Sequence, residues 1–176
     1  VLIGADACIL TFVRDADRRP FRFVVSGHRI SGLVTLSDLQ RLPVRAALFA
    51  AVTHLETVMA EAIRALFKNP DQWLEILTAD RRKVVRREIS KAKQEDAFVD
   101  ALLFTRFGEK VAIIRERIHS SAAFESFDTD LGRIRSLRNG LAHASHFAAT
   151  RDAARDVCQT FRLIERWIDM LTKLQQ

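Results

Sequence analysis

Pro43 to Leu66, reading PVRAALFAAVTHLETVMAEAIRAL, is the stretch that decides the fold. Leu48, Ala51, Leu55, Val58, Ala62 and Leu66 recur at steps of three and four. A helix takes 3.6 residues per turn, so that spacing lines them up as one apolar stripe. Pro43 suits a first helical position, because its φ is already helical and its missing N–H is a donor that the first turn leaves unpaired anyway.

Upstream the period changes. Phe21-Arg22-Phe23-Val24-Val25 reads as a strand, Ser26-Gly27 as a turn, and Arg29 to Thr35 as a second strand interrupted by Gly32. Ile9 to Val13 fits either a strand or the end of a short helix, being too brief for its period to decide. Thr35 or Ser37 can cap one helical turn through Asp38, Leu39 and Gln40.

Downstream the helical period persists. Asn69-Pro70 ends the first helix and opens the next, with Trp73, Leu74 and Leu77 facing inward. Asp80 caps a segment from Arg81 to about Lys93. Phe98, Leu102, Leu103 and Phe107 mark a short helix that Gly108 interrupts, and Val111, Ile114 and Ile118 continue the pattern. Ser126 or Asp128 opens a helix with core face Leu131, Ile134, Leu137 and Leu141. The last helix, from about Thr150, carries Val157, Phe161, Ile164, Ile168 and Leu171. The expected fold is mainly α: a helical bundle over 43–176 behind a small N-terminal α/β segment over 1–42.

A hydrophobic share of 48% with 28% charged residues describes a folded chain rather than a disordered one. No uninterrupted apolar run approaches the roughly 20 residues that span a bilayer. Cys8 and Cys158 lie far apart in apolar surroundings, and the reading expects two buried thiols in a reducing cytoplasm. Lys and Arg number 28 against 22 Asp and Glu, a net +6 that permits a phosphate-rich partner. Without Gly-rich phosphate loop or Gly-x-Ser-x-Gly elbow, kinase and serine-hydrolase chemistry has no motif to rest on.

Arg138-Asn139-Gly140-Leu141-Ala142-His143 is the main candidate site. A guanidinium forks onto a phosphate, an imidazole moves a proton near neutral pH, and the Asn139 amide orients a phosphate or a ribose hydroxyl. Five residues advance about 500°, leaving Arg138 and His143 roughly 140° apart on a regular helix. Gly140 and Ser145 raise the expectation that the helix loosens here and lets them converge. The plain alternative is an exposed arginine and a histidine capping a helix end. The segment resembles the signature of the HEPN superfamily: Arg, a polar residue often Asn, then His, near the end of the penultimate major helix of a bundle. That resemblance implies a metal-independent ribonuclease or an RNA-binding module acting as a homodimer. By it, Arg138 holds the scissile phosphate, Asn139 positions the reactants and His143 moves the proton. The HEPN variants paired with nucleotidyltransferases carry a tyrosine where Ser145 stands, and the chain has no tyrosine.

Phe23 to Ser37, followed by Asp38, reads as two strands running into a capped turn. Its Gly32-x-x-Thr35-x-x-Asp38 also resembles the closing part of a CBS motif. That implies an adenine nucleotide whose phosphate and ribose meet Thr35 and Asp38. CBS motifs usually work in pairs, so the resemblance implies a partner motif upstream of Val1 or a pairing between subunits; the plain alternative is a structural cap on the bundle.

Arg82, Lys83, Arg86 and Arg87 form the densest basic cluster. It reads as a solvated helical face or as an electrostatic track for an RNA backbone, without aromatics to stack bases. His54 reads as a core or interface histidine, and Trp73 and Trp167 as packing anchors. His28, His119 and His146 are scattered, so no metal is expected; no cofactor is required, and the one small ligand implied is the adenine nucleotide of the CBS resemblance. The alternative function is a non-catalytic module that senses an adenine nucleotide or binds a partner.

Overall fold

The computed structural model describes residues 1–95, 100–118, 124–143 and 146–175. Phe98, His119 and Ser145 lie outside them. In chain order the elements are β1 (Leu2–Gly4), α1 (Ile9–Asp15), β2 (Phe21–Ser26), β3 (Arg29–Thr35), a 3-10 turn (Leu36–Gln40), α2 (Leu42–Leu66), α3 (Pro70–Leu74) and α4 (Ala79–Gln94). A second 3-10 turn (Ala101–Phe104), α5 (Phe107–Ile118), α6 (Phe127–Ala142) and α7 (Arg151–Lys173) complete it. The protein is mainly helical with one small N-terminal sheet. By compactness it divides into Val1–His54 with Gly132–Trp167, and Leu55–Leu131 with Ile168–Gln176. The N-terminal segment thus shares its unit with most of α6 and of α7.

In the first unit the sheet order is β1-β2-β3. β1 runs parallel to β2, which requires the crossover that α1 supplies, and this settles Ile9 to Val13 as helix. β2 and β3 form an antiparallel hairpin with Phe23 opposite Leu33. Its turn needs a left-handed residue, and Gly27 provides φ +57°. Gly32 does not interrupt β3; it pairs with Val24, and the irregularity falls between Val24 and Val25. Leu39, Leu48, Val52, Ile134, Phe161, Ile164 and Trp167 are among the buried side chains of this unit.

Two forks tie α1 to α7. Arg162 donates to both carboxylate oxygens of Asp17, at 2.9 and 2.7 Å, and to the Arg14 carbonyl at 2.6 Å. Arg14 pairs in turn with Glu165. The bonds from Arg162 hold the Asp17 carboxyl below its ordinary range, against a smaller opposing effect of burial. Cys158 is buried, and desolvation pushes its thiol up to about 11. Cys8, by contrast, is exposed, because it stands in the turn just before α1 rather than on the buried face with Phe12 and Val13.

In the second unit Leu55, Met59, Ile63, Trp73, Val85, Ile113, Ile114 and Leu131 are buried. Asn69 caps α3 by accepting from the Asp71 N–H at 2.9 Å. Thr78, not Asp80, caps α4, accepting from the Arg81 N–H at 3.4 Å. Gly108 lies inside the first turn of α5 and does not break it. Leu103, expected in the core, is 71% exposed, because the tight second 3-10 turn points Leu102 inward and Leu103 outward.

α2 spans 25 residues with a mean hydropathy of 1.4 over its best 18, so by length and composition it can cross a membrane, unlike what the sequence reading expected. Arg45, His54, Glu56, Glu61 and Arg64 punctuate it, while Leu48, Val52, Leu55, Met59 and Ile63 are buried within the protein, as in a core helix. His54 itself is exposed, not a core residue.

Asp17→Asn is expected to cost about 1.5–3 kcal/mol at neutral pH, the range for a hydrogen bond to a charged group. Because the folded carboxyl titrates below the unfolded one, its stabilisation is complete above about pH 4 and is lost as pH falls through the folded value. Urea titrations at descending pH should therefore show a shallower acid decline for Asp17→Asn than for wild type. Parallel declines would show that the Asp17–Arg162 fork contributes nothing.

Candidate functional site

The C-terminal half of α6 belongs to the first unit and carries the motif. Leu131, Ile134, Leu137 and Leu141 are all buried, as their spacing requires. At its start Ser126 donates to Asp130 at 2.8 Å, and the acidic Asp128 and Asp130 suit the positive end of the helix. The helix continues through Gly140 to Ala142, and the His143 N–H still bonds the Asn139 carbonyl at 3.3 Å. One glycine costs about 1 kcal/mol of helix propensity relative to alanine, too little to undo turns held by a buried stripe on both sides.

This regularity sorts the motif. Asn139 and His143, four residues apart, share one face, and both are exposed. Arg138 is half-buried, engaged within the chain and about 140° round the axis from His143. Asn139 and His143 therefore share one exposed side of α6, and Arg138 leaves the helix from another side.

The residue that sequence reading missed is Arg45. From the first turns of α2 its Nη1 donates to the His143 carbonyl at 2.5 Å and to the Leu141 carbonyl at 3.5 Å. Its guanidinium also lies 5.1 Å from the centre of the Phe147 ring. The last carbonyls of a helix have no partner within it, and a cation there also complements the helix dipole. Gln40 holds the chain just beyond: its Oε1 accepts from the Ala148 N–H at 3.0 Å, and its Nε2 lies 3.4 Å from His146 Nδ1. The backbone that presents His143 is thus fixed from the 3-10 turn and α2.

Thr35 and Asp38 come together, but on each other. Asp38 Oδ2 accepts from the Thr35 N–H at 2.7 Å and from its hydroxyl at 3.1 Å, and Oδ1 accepts from Arg41 Nε at 2.5 Å. Burial alone would raise the Asp38 carboxyl; the bonds from Thr35 and Arg41 outweigh it and leave the carboxyl below its ordinary range. This is a capping box for the 3-10 turn. Asp38 and Arg41 nevertheless border a cavity of about 460 Å³ lined by Gly4, Ala7, Phe12, Val24 and Val44. Thr35 lines a different cavity, of about 440 Å³, with Ser37, Gln40 and Arg151.

In the second unit the basic cluster of α4 is largely matched. Arg82 closes the end of α3, donating to the carbonyls of Leu74, Glu75 and Leu77 at 3.1, 2.8 and 3.2 Å and pairing with the Glu75 carboxylate. It is a structural cap, not a free phosphate contact. Arg86 lies 3.7 Å from Asp71 and 3.8 Å from Glu75, and Arg87 pairs with Glu88 at 3.2 Å. Lys83 is exposed and has no ion-pair partner among the described residues. Among those residues no three His, Cys, Asp or Glu side chains are grouped to hold a metal ion.

Comparison with protein-family models, with curated proteins and with solved structures gives no match to the chain.

Arg45→Met keeps the stem of the side chain and removes its fork. Losing a charged hydrogen bond to the helix end is expected to cost about 1.5–3 kcal/mol. Amide exchange at Leu141, Ala142 and His143 should accelerate, with α5 amides unchanged. Equal exchange in both proteins would mean that Arg45 does not hold this turn.

Proposed function

We propose that the end of α6 is an RNA-cleaving site of the HEPN kind, working without a metal in a homodimer. The observation that carries this reading is the placement of Asn139 and His143 one turn apart on an exposed helix face, with the His143 backbone pinned by Arg45. In the reaction the ribose 2′-oxygen attacks the adjacent phosphorus, giving its proton to His143 as the P–O2′ bond forms. The P–O5′ bond breaks and the leaving oxygen takes a proton from water, yielding a 2′,3′-cyclic phosphate and a 5′-hydroxyl. Asn139 orients the phosphate by its amide. Arg138 stabilises the charge that develops on the phosphate oxygens, and since it lies away from His143 in one chain, it serves the His143 of a second copy.

The test is cleavage of single-stranded and structured RNA in EDTA. Wild type should produce cyclic-phosphate ends, and His143→Ala and Asn139→Ala should lose about 10²-fold or more, the scale of a general acid–base contribution. Equal cleavage by wild type and His143→Ala would overturn the assignment.

A second reading, a module that senses an adenine nucleotide, draws on the 460 Å³ cavity beside Asp38 and Arg41, whose size suits a small ligand. AMP, ADP or ATP at a hundredfold its Kd should add about 2.7 kcal/mol of apparent stability. The comparison is between each protein's own ligand-induced shifts, so that losing the cap in Asp38→Asn does not confuse it. A shift in wild type that vanishes in Asp38→Asn supports the sensor, and no shift with any nucleotide removes it.

A further inference from the structure

We infer that Arg135 forms a subsite for an RNA phosphate flanking the one handled at His143, an inference that rests on the RNA reading above. Arg135, Asn139 and His143 follow one another on α6 at steps of four. Each step turns about 40° beyond a full circle, so the three form a ridge along one side of the helix. All three are exposed. Arg138, by contrast, is half-buried and off this ridge.

Arg135 combines this place on the ridge with a charge that no described residue neutralises. Its guanidinium has no hydrogen bond, ion pair or ring contact among the described residues. Arg133, two positions earlier, is bonded to Asp156 and Gln159 of α7. Other arginines of this unit are likewise committed: Arg14 to Glu165, Arg22 to Asp15, Arg162 to Asp17. Where the ridge continues toward the helix start it passes Gly132, above which a Cβ would meet nothing within 4 Å. A ligand lying along α6 is therefore not walled off there.

The geometry also says which phosphate is bound. Eight residues at 1.5 Å rise put the Arg135 and His143 Cα atoms about 12 Å apart along the axis, a length of helix face along which a strand can lay more than one phosphate. Arg135 takes the non-bridging oxygens of a neighbouring phosphate with its planar fork, and Asn139 spans the interval. The substrate is then a strand with several phosphates laid along α6, not a single phosphodiester.

The experiment measures RNA affinity by fluorescence anisotropy over a range of salt, and cleavage of an oligoribonucleotide beside a dinucleotide. Arg135→Gln should weaken oligoribonucleotide binding roughly three- to tenfold and reduce the slope of log K against log salt by about 0.7, the value for one phosphate on a single strand. Its KM should rise for the oligoribonucleotide with kcat unchanged, and dinucleotide cleavage should match wild type. Arg135→Lys should keep the salt slope, and Arg29→Gln, an equally unmatched guanidinium in the hairpin, should bind as wild type. Undiminished affinity and slope in Arg135→Gln would overturn the subsite while leaving the RNA reading intact. An equal loss in Arg29→Gln would overturn it too, by showing an effect of net charge alone. Wild type that neither binds nor cleaves RNA would overturn the reading and the subsite with it.

Discussion

The end of α6 poses the constraint around which the first unit is organised. A helix finishes with carbonyls that its own backbone cannot satisfy, and here they are met by a side chain 98 residues earlier, the Arg45 fork on Leu141 and His143. That bond cannot form unless the start of α2 lies against the end of α6. Gln40 extends the same seam onto Ala148 and His146, and Arg162 with Arg14 repeats the device between α1 and α7. The apolar interior of Leu48, Ile134, Phe161 and Trp167 supplies the driving force for compaction but is directionless. The arginine contacts add direction to it within the unit that joins residues 1–54 with 132–167.

The periodic part of this architecture was legible in the sequence. Leu131, Ile134, Leu137 and Leu141 announce α6, and Val157, Phe161, Ile164 and Leu171 announce α7, because burial of a helix stripe is written at three- and four-residue steps. The hairpin was legible from Gly27, whose φ no other residue type adopts so cheaply. What was not legible depends on partners distant in the chain. Ile9 to Val13 is helix because β1 and β2 are parallel, a relation that five residues cannot encode. Gly108 and Gly140 were weighed as helix breakers by their local cost, and neighbouring burial outweighed both. Arg82 looked like one basic residue among several until the orphan carbonyls of α3 appeared beside it.

The site shows the same division. A motif read as letters treats Arg138, Asn139 and His143 as one group, whereas the helix separates them by angle. Asn139 and His143 share a face because four residues nearly close a turn; Arg138 does not, because five overshoot it. A loosened helix would have reconciled motif and geometry within one chain, but the His143 N–H remains bonded to the Asn139 carbonyl. Under the proposed chemistry the cost of that regularity falls on Arg138, which must find its phosphate in a second copy of the protein.

Charge bookkeeping then limits what the basic composition can mean. A net +6 over 176 residues suggests a surface drawn to polyanions, yet most guanidiniums here face a carboxylate, a carbonyl or an aromatic ring. A matched arginine releases no counterion from a nucleic acid unless its own pair is first broken, so it adds little to phosphate affinity. The groups that remain available, Arg135 on α6 among them, are few and separated. Any attraction to RNA therefore arises at particular places on the helix face and not from the overall charge. In the α4 cluster, dense in sequence, Arg82, Arg86 and Arg87 are tied to Glu75, Asp71 and Glu88, which leaves Lys83 as the unpaired cation of those four among the described residues: proximity of basic residues along a chain makes a field only where the fold leaves them unpaired.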